Sequence, residues 1–167
     1  MDQQTEQAVW RRVKGPGPVN AGEALLPERL EALILEERSG AAALRELARR
    51  VGGQGRAALT GMAGQTEARA GRLETLHYLL TGRRLRLRTP RPGPAGPLPE
   101  ALRAACLRMR QSAAAYEALA REFSSWEEEL SRSAARAREN ARVLTGLLER
   151  QLRNSPAGTQ NLSKPEK

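Results

Sequence analysis

The sequence predicts an all-α protein: an antiparallel four-helix bundle built from two helical hairpins joined by a long crossover. Three observations predict it. Aromatic residues make up only 3% of the chain, while Ala, Leu, Arg and Glu dominate its middle, a mixture that favours helix and disfavours strand. Turn and linker chemistry falls at four places, GPGP at 15–18, GGQG at 52–55, TPRPGPAGP at 89–97 and SPAG at 155–158, and divides the chain cleanly. Between these breaks the apolar residues recur in steps of three and four, the spacing that keeps one face of a helix inward. With 167 residues, 40% of them hydrophobic, the chain can bury one core and one only.

The first helix is carried by Leu26, Leu30, Leu33, Ile34, Ala41, Leu44, Ala48 and Val51. The second runs from about Arg56 to Leu80, with Leu59, Met62, Ala63, Ala70, Leu73, Leu76 and Leu80 inward and Gly82 as its stop. Pro97 and Pro99 suit the start of the third, which reaches Phe123 through Leu102, Cys106, Met109, Tyr116 and Leu119. Ser124 or Ser125 opens the fourth, where Glu127, Glu128 and Glu129 complement the first-turn dipole; Leu130, Ala134, Ala137, Ala141, Leu144 and Leu148 follow. The expected organisation is an N-terminal segment at 1–21 with a short helix and a Gly/Pro linker, a bundle at 22–153 with a Pro-rich crossover at 83–97, and a disordered tail at 154–167 rich in Ser, Pro, Lys and Asn.

Composition also bounds the partners. The net charge of +9 comes from 25 Arg and 3 Lys. An Arg-rich surface favours anionic partners, and it follows equally from a coding bias towards Arg. Cys106 stands alone within an apolar helical pattern, so there is no disulfide framework, and a reduced, cytoplasmic setting fits. The N-terminal MDQQTEQAVWRR has no signal-peptide core and no apolar run approaches about 18 residues, so no membrane association is expected.

A weak internal repeat links the two halves. ALRELAR at 43–49 lies over AYEALAR at 115–121, identical at four of seven places, and Ala70, Leu73 and Leu76 match Ala141, Leu144 and Leu147 at nearly the same offset. Over about residues 30–153, LEALILEE, LRELARR and AGRLETLHYLLTG in the first half, with AYEALARE and NARVLTGLLERQL in the second, resemble the ferritin-like, rubrerythrin-type bundles. The ending HYLLTG is similar to the Tyr-Tyr-Leu-Leu-Thr-Gly of bacterial sequences of that kind. In that family each hairpin supplies a Glu from its first helix and a Glu-x-x-His from its second, and together these hold two metal ions.

Carried onto this chain by that resemblance, the first Glu falls on Glu37 and is kept. The following Glu-x-x-His falls on Thr66 and Arg69; in the second half the Glu falls on Met109 and the Glu-x-x-His on Ala137 and Asn140. Five of the six positions therefore carry side chains that do not replace carboxylates and imidazoles for hard or borderline divalent metals. The resemblance implies a vacated di-metal site, with Glu37 as its remnant.

One Glu-x-x-His does survive, Glu74 to His77. It lies eight residues beyond Thr66 and Arg69, which rotates it roughly 80° and moves it about 12 Å along the helix. With no second His in the chain it makes a poor metal site, and the expected role of His77 is packing or capping near a helix C-terminus. Glu37 is the more informative residue, because it sits on the apolar stripe between Ile34 and Ala41, where an unpartnered carboxylate is costly. An ion pair with Arg69, with Asn140 as third member, is the natural substitute for the metal; the alternative is a Glu37 turned to the edge and solvated. Cys106 reads as core instead of as half of a Cys-His pair with His77, and GGQG lacks the strand context of a phosphate loop.

The strongest partner signal is RRLRLRTPR at 83–91, with Arg83, Arg84, Arg86, Arg88 and Arg91 around two leucines. It reads as an anion-binding strap for nucleic acid, phosphate or an acidic protein, or as a solvated crossover whose leucines pack over the bundle end. The leading expectation is a non-catalytic structural or interaction module with a protein partner or self-association and no cofactor. The alternative is a metal-binding or redox protein using iron or manganese at an altered site around Glu37. A third reading is anion or nucleic-acid binding through Arg83–Arg91.

Overall fold

A computed structural model of the chain describes residues 26–88 and 96–154. Among these it is all-helical, with four long helices: α1 (Leu26–Arg50), α2 (Gly53–Thr81), α3 (Leu98–Glu122) and α4 (Glu127–Asn154), and a single 3-10 turn at Ser124–Trp126. Residues 1–25 and 155–167 lie outside the described residues, and with them the N-terminal segment and nearly all of the tail.

Local chemistry explains most of the boundaries. Glu28 in the first turn of α1 and Arg49 and Arg50 in its last complement the helix dipole. α2 stops at Gly82, which takes the left-handed conformation, φ 69°, and donates its N–H to the Tyr78 carbonyl at 2.8 Å. Pro97 and Pro99 sit at the start of α3, where a missing N–H costs nothing. The start of α4 differs from the expectation. The chain uses Ser124–Trp126 for a 3-10 turn that reverses its direction and half-buries Phe123 and Trp126 against the nearby core, so the helix begins at Glu127. The three glutamates still occupy its first turn. α2 likewise starts at Gly53, three residues before the expected Arg56.

Cross-helix contacts fix the arrangement. α1 packs along α2 and α3 along α4, α1 also lies against α3, and α2 touches α4 only sparingly. Glu31 with His77, Glu37 with Arg69 and Arg45 with Glu67 run in opposite senses along α1 and α2. Between α1 and α3, Arg29 meets Glu122 and Arg108 meets Glu36. Between α3 and α4, Cys106 meets Ala141 and Arg138 meets Glu117.

The buried side chains form two apolar clusters. One, at one end, gathers Leu44, Leu47, Leu59, Met62, Leu102, Met109 and Leu144; the other gathers Leu30, Ile34, Leu73, Leu76, Tyr116, Leu119 and Leu130 at the opposite end. Leu85 and Leu87 pack on the second cluster, whereas at the far end Arg50 donates to the carbonyl of Gly96 at 2.8 Å. The segment after α2 therefore leaves one end of the molecule and arrives at the other. Leu80, expected inward, is 46% exposed, and Tyr78 and Leu79 in the same last turn are exposed with it, whereas Leu76 and His77 just before them are buried. Among the described residues no helix is long and apolar enough to cross a membrane.

Candidate functional site

Between the two apolar clusters lies a layer of polar side chains, and Glu37 and Arg69 are its centre. Each is only 1% exposed. Arg69 donates from Nε to Glu37 Oε2 at 2.8 Å, the contact expected from the sequence, and this excludes the solvated alternative for Glu37. The helix periodicity accounts for it: Glu37 follows Ile34 by three residues on the inward face of α1, and Arg69 precedes Leu73 by four on the inward face of α2.

The guanidinium is held further by its own helix. Nη2 donates to Thr66 Oγ1 at 3.1 Å, and that hydroxyl donates in turn to the Met62 carbonyl at 2.8 Å. Nη2 also reaches Met109 Sδ at 3.8 Å, a weak acceptor. Thr66, Arg69 and Met109, three of the positions singled out in the sequence, thus meet around Glu37. Ala137, fully buried, adds only a methyl. Ala41, Ala70 and Ala113 are buried within about a turn of this level, and a long guanidinium needs such room. Asn140 is buried, but its Nδ2 makes no hydrogen bond and it does not complete the pair as a third member.

Sequence reasoning placed Tyr116 in the core but missed its part in this layer. Its hydroxyl is buried beside the Arg69 guanidinium, without a well-formed hydrogen bond among the described residues. Burial, and after it the Glu37 carboxylate, push the phenol well above its usual range; the charge of Arg69 opposes them without cancelling them. The phenol holds its proton through neutral pH. A lone tyrosine in an Ala-rich helix, on the face that carries the vacated positions, was the available signal. Glu37 Oε1 and Arg69 Nη1 also make no hydrogen bond among the described residues.

The remaining candidates have local roles. His77, 3% exposed, lies with Nε2 3.1 Å from Glu31 Oε1 and Nδ1 3.4 Å from Thr81 Oγ1, while Glu74 pairs with Arg38. The Glu74–His77 spacing thus serves two separate cross-helix contacts. Cys106 donates to the Ala141 carbonyl at 3.6 Å within the opposite cluster, so it forms no pair with His77. Among the described residues no three His, Cys, Asp or Glu side chains group as a metal would require. Arg83, Arg84, Arg86 and Arg88 are exposed; Arg91 lies outside the described residues.

Chemically the layer holds opposite charges in fixed register and presents neither a nucleophile nor a base with its orienting partner. Breaking a buried pair costs far more than replacing it whole. Arg69→Met is therefore expected to lower unfolding free energy by about 3 to 5 kcal/mol, and adding Glu37→Leu to recover most of that loss. Chemical denaturation of both variants checks this; a single variant within about 1 kcal/mol of the parent, or a double variant no better than the single, contradicts it.

Compared with known proteins, the chain matches no family model, no curated protein and no solved structure.

Proposed function

We propose that the chain is a ferritin-like bundle of two antiparallel hairpins whose di-metal site has been given up, and that it serves as a non-catalytic structural or interaction module. The observation that carries this reading is the fully buried Arg69 against Glu37 at 2.8 Å, midway between two apolar clusters. A guanidinium there supplies the positive charge that a metal would otherwise bring to the remaining carboxylate. Connectivity supports the same reading. Leu85 and Leu87 at one end and Gly96 at the other make the connection between α2 and α3 run the length of the helices, as a ferritin-type crossover does. Its 15 residues, 83–97, reach about 50 Å when extended, while a 25-residue helix spans about 37 Å.

The alternative, metal or redox chemistry at an altered site around Glu37, has to seat a divalent cation beside a guanidinium already bonded to the same carboxylate. Metal analysis of protein purified without chelator, before and after loading with iron(II) or manganese(II), separates the two. The vacated site predicts metal well below one equivalent per chain in both samples. Near-stoichiometric retention of either metal after desalting overturns it.

A second reading, polyanion binding through the strap, is favoured by one specific feature. From Arg84 to Arg88 the chain alternates, Leu85 and Leu87 half-buried against the core and Arg84, Arg86 and Arg88 exposed. None of the three has an ion-pair partner among the described residues, in contrast to the arginines that link the helices. If this row binds nucleic acid, affinity falls steeply with salt, and changing all three arginines to Gln lowers the slope by about one unit for each phosphate that is no longer neutralised. Failure of the parent protein to retain either duplex or single strand at low salt removes the reading.

A further inference from the structure

α2 and α4 stand apart, and the space between them is a groove of about 280 Å³. Three guanidiniums line it, those of Arg72, Arg132 and Arg136, against the one carboxylate of Glu129. Arg72 Nε lies 2.8 Å from Glu129 Oε1 and Arg132 Nη1 lies 3.6 Å from Oε2, so a single carboxylate is shared by two arginines; Arg132 also touches Glu128 at the rim. Arg136 has no ion-pair partner among the described residues.

The inner wall adds a second and independent observation. Ser133 is only 4% exposed and lines the groove, yet its hydroxyl makes no hydrogen bond among the described residues. Behind it a cavity of about 10 Å³, room for roughly one water, shares Arg72, Glu129 and Ser133 with the groove and reaches Arg69 and Tyr116. Arg69 and Tyr116 belong to the lining of that cavity, and both carry groups that can donate. The groove is thus walled by three guanidiniums, the Gln65 amide and the Ser133 hydroxyl, with Glu129 as its one carboxylate.

We propose that this groove binds a small phosphate-class anion, either inorganic phosphate or the phosphate of a monoester. Arginine forks match phosphate oxygens in pairs, a serine hydroxyl and the amide of Gln65 supply neutral donors, and exposed Arg–Glu pairs are held weakly enough for Arg72 and Arg132 to turn towards a ligand. The inference stands apart from the reading of the buried layer, because every residue that would touch the anion lies outside the Glu37–Arg69 pair.

The test is calorimetric titration of the full chain in a low-salt buffer free of phosphate, with inorganic phosphate, methyl phosphate and acetate as separate probes. The site predicts one saturable event with a phosphate probe and none with acetate. Arg136→Gln, which breaks no ion pair or hydrogen bond among the described residues, weakens it about tenfold, and Ser133→Ala weakens it less. Tighter binding of inorganic phosphate identifies the free ion as the ligand, and tighter binding of methyl phosphate identifies an ester. Replacing Arg84, Arg86 and Arg88 with Gln leaves the titration unchanged. The proposal is overturned by any of three results: no saturation below about 10 mM, undiminished affinity in Arg136→Gln, or loss of binding in the strap variant instead.

Discussion

A charged guanidinium sealed between four helices constrains everything around it. Arg69 is shut away from bulk solvent, so the fold must deliver a carboxylate to it, and among the described residues Glu37 is the one at hand. That requirement fixes the register of α1 against α2, since a slip of one residue on either helix rotates a charge by about 100° and leaves the other buried and unpaired. It also separates the core. Leucines fill both ends of the molecule while threonine, serine, asparagine and alanine occupy the middle, where longer apolar chains would compete with the pair for room. Such a layer adds less stability than leucines would, and what it contributes is a single allowed alignment.

The all-helical class and the helix positions were legible because period and punctuation agree. Gly82, Pro97 and the glutamates at 127–129 each mark an end through backbone conformation or dipole, and those signals are local. Leu80 misled for the opposite reason. Its spacing from Leu73 and Leu76 suits an inward position, but whether a residue is buried also depends on what packs opposite it at the end of its helix, which spacing along one helix does not contain. The Ser124–Trp126 turn escaped in the same way, because the path between α3 and α4 is set by packing of Phe123 and Trp126.

The candidate site was legible in part. Glu37 broke an apolar stripe and so announced its need of a partner, whereas Arg69 was placed opposite it only by the resemblance to the ferritin-like ligand pattern. Tyr116 and Ser133 did not announce themselves, because a tyrosine or a serine on an inward face reads as ordinary core until the three-dimensional neighbours are known. The arginines of the α2–α4 groove are a stronger example. Arg72 and Arg136 are 64 residues apart in the chain and share a wall only because those two helices are held without closing on each other. Arginines at the tighter interfaces face glutamates, as Arg108 faces Glu36 and Arg29 faces Glu122, whereas in the groove Arg72 and Arg132 share the single carboxylate of Glu129.

The central claim is that Arg69 is locked inside the protein as the partner of Glu37. The most direct measurement is hydrogen exchange at arginine Nε–H groups, followed by NMR after transfer of the ¹⁵N-labelled protein into D₂O. Exposed arginines lose their signals at once. The account predicts one surviving Nε–H resonance, decaying only as the fold opens and missing from the spectrum of Arg69→Lys. Complete exchange of every arginine Nε–H within the dead time, in protein that is otherwise folded, would contradict it.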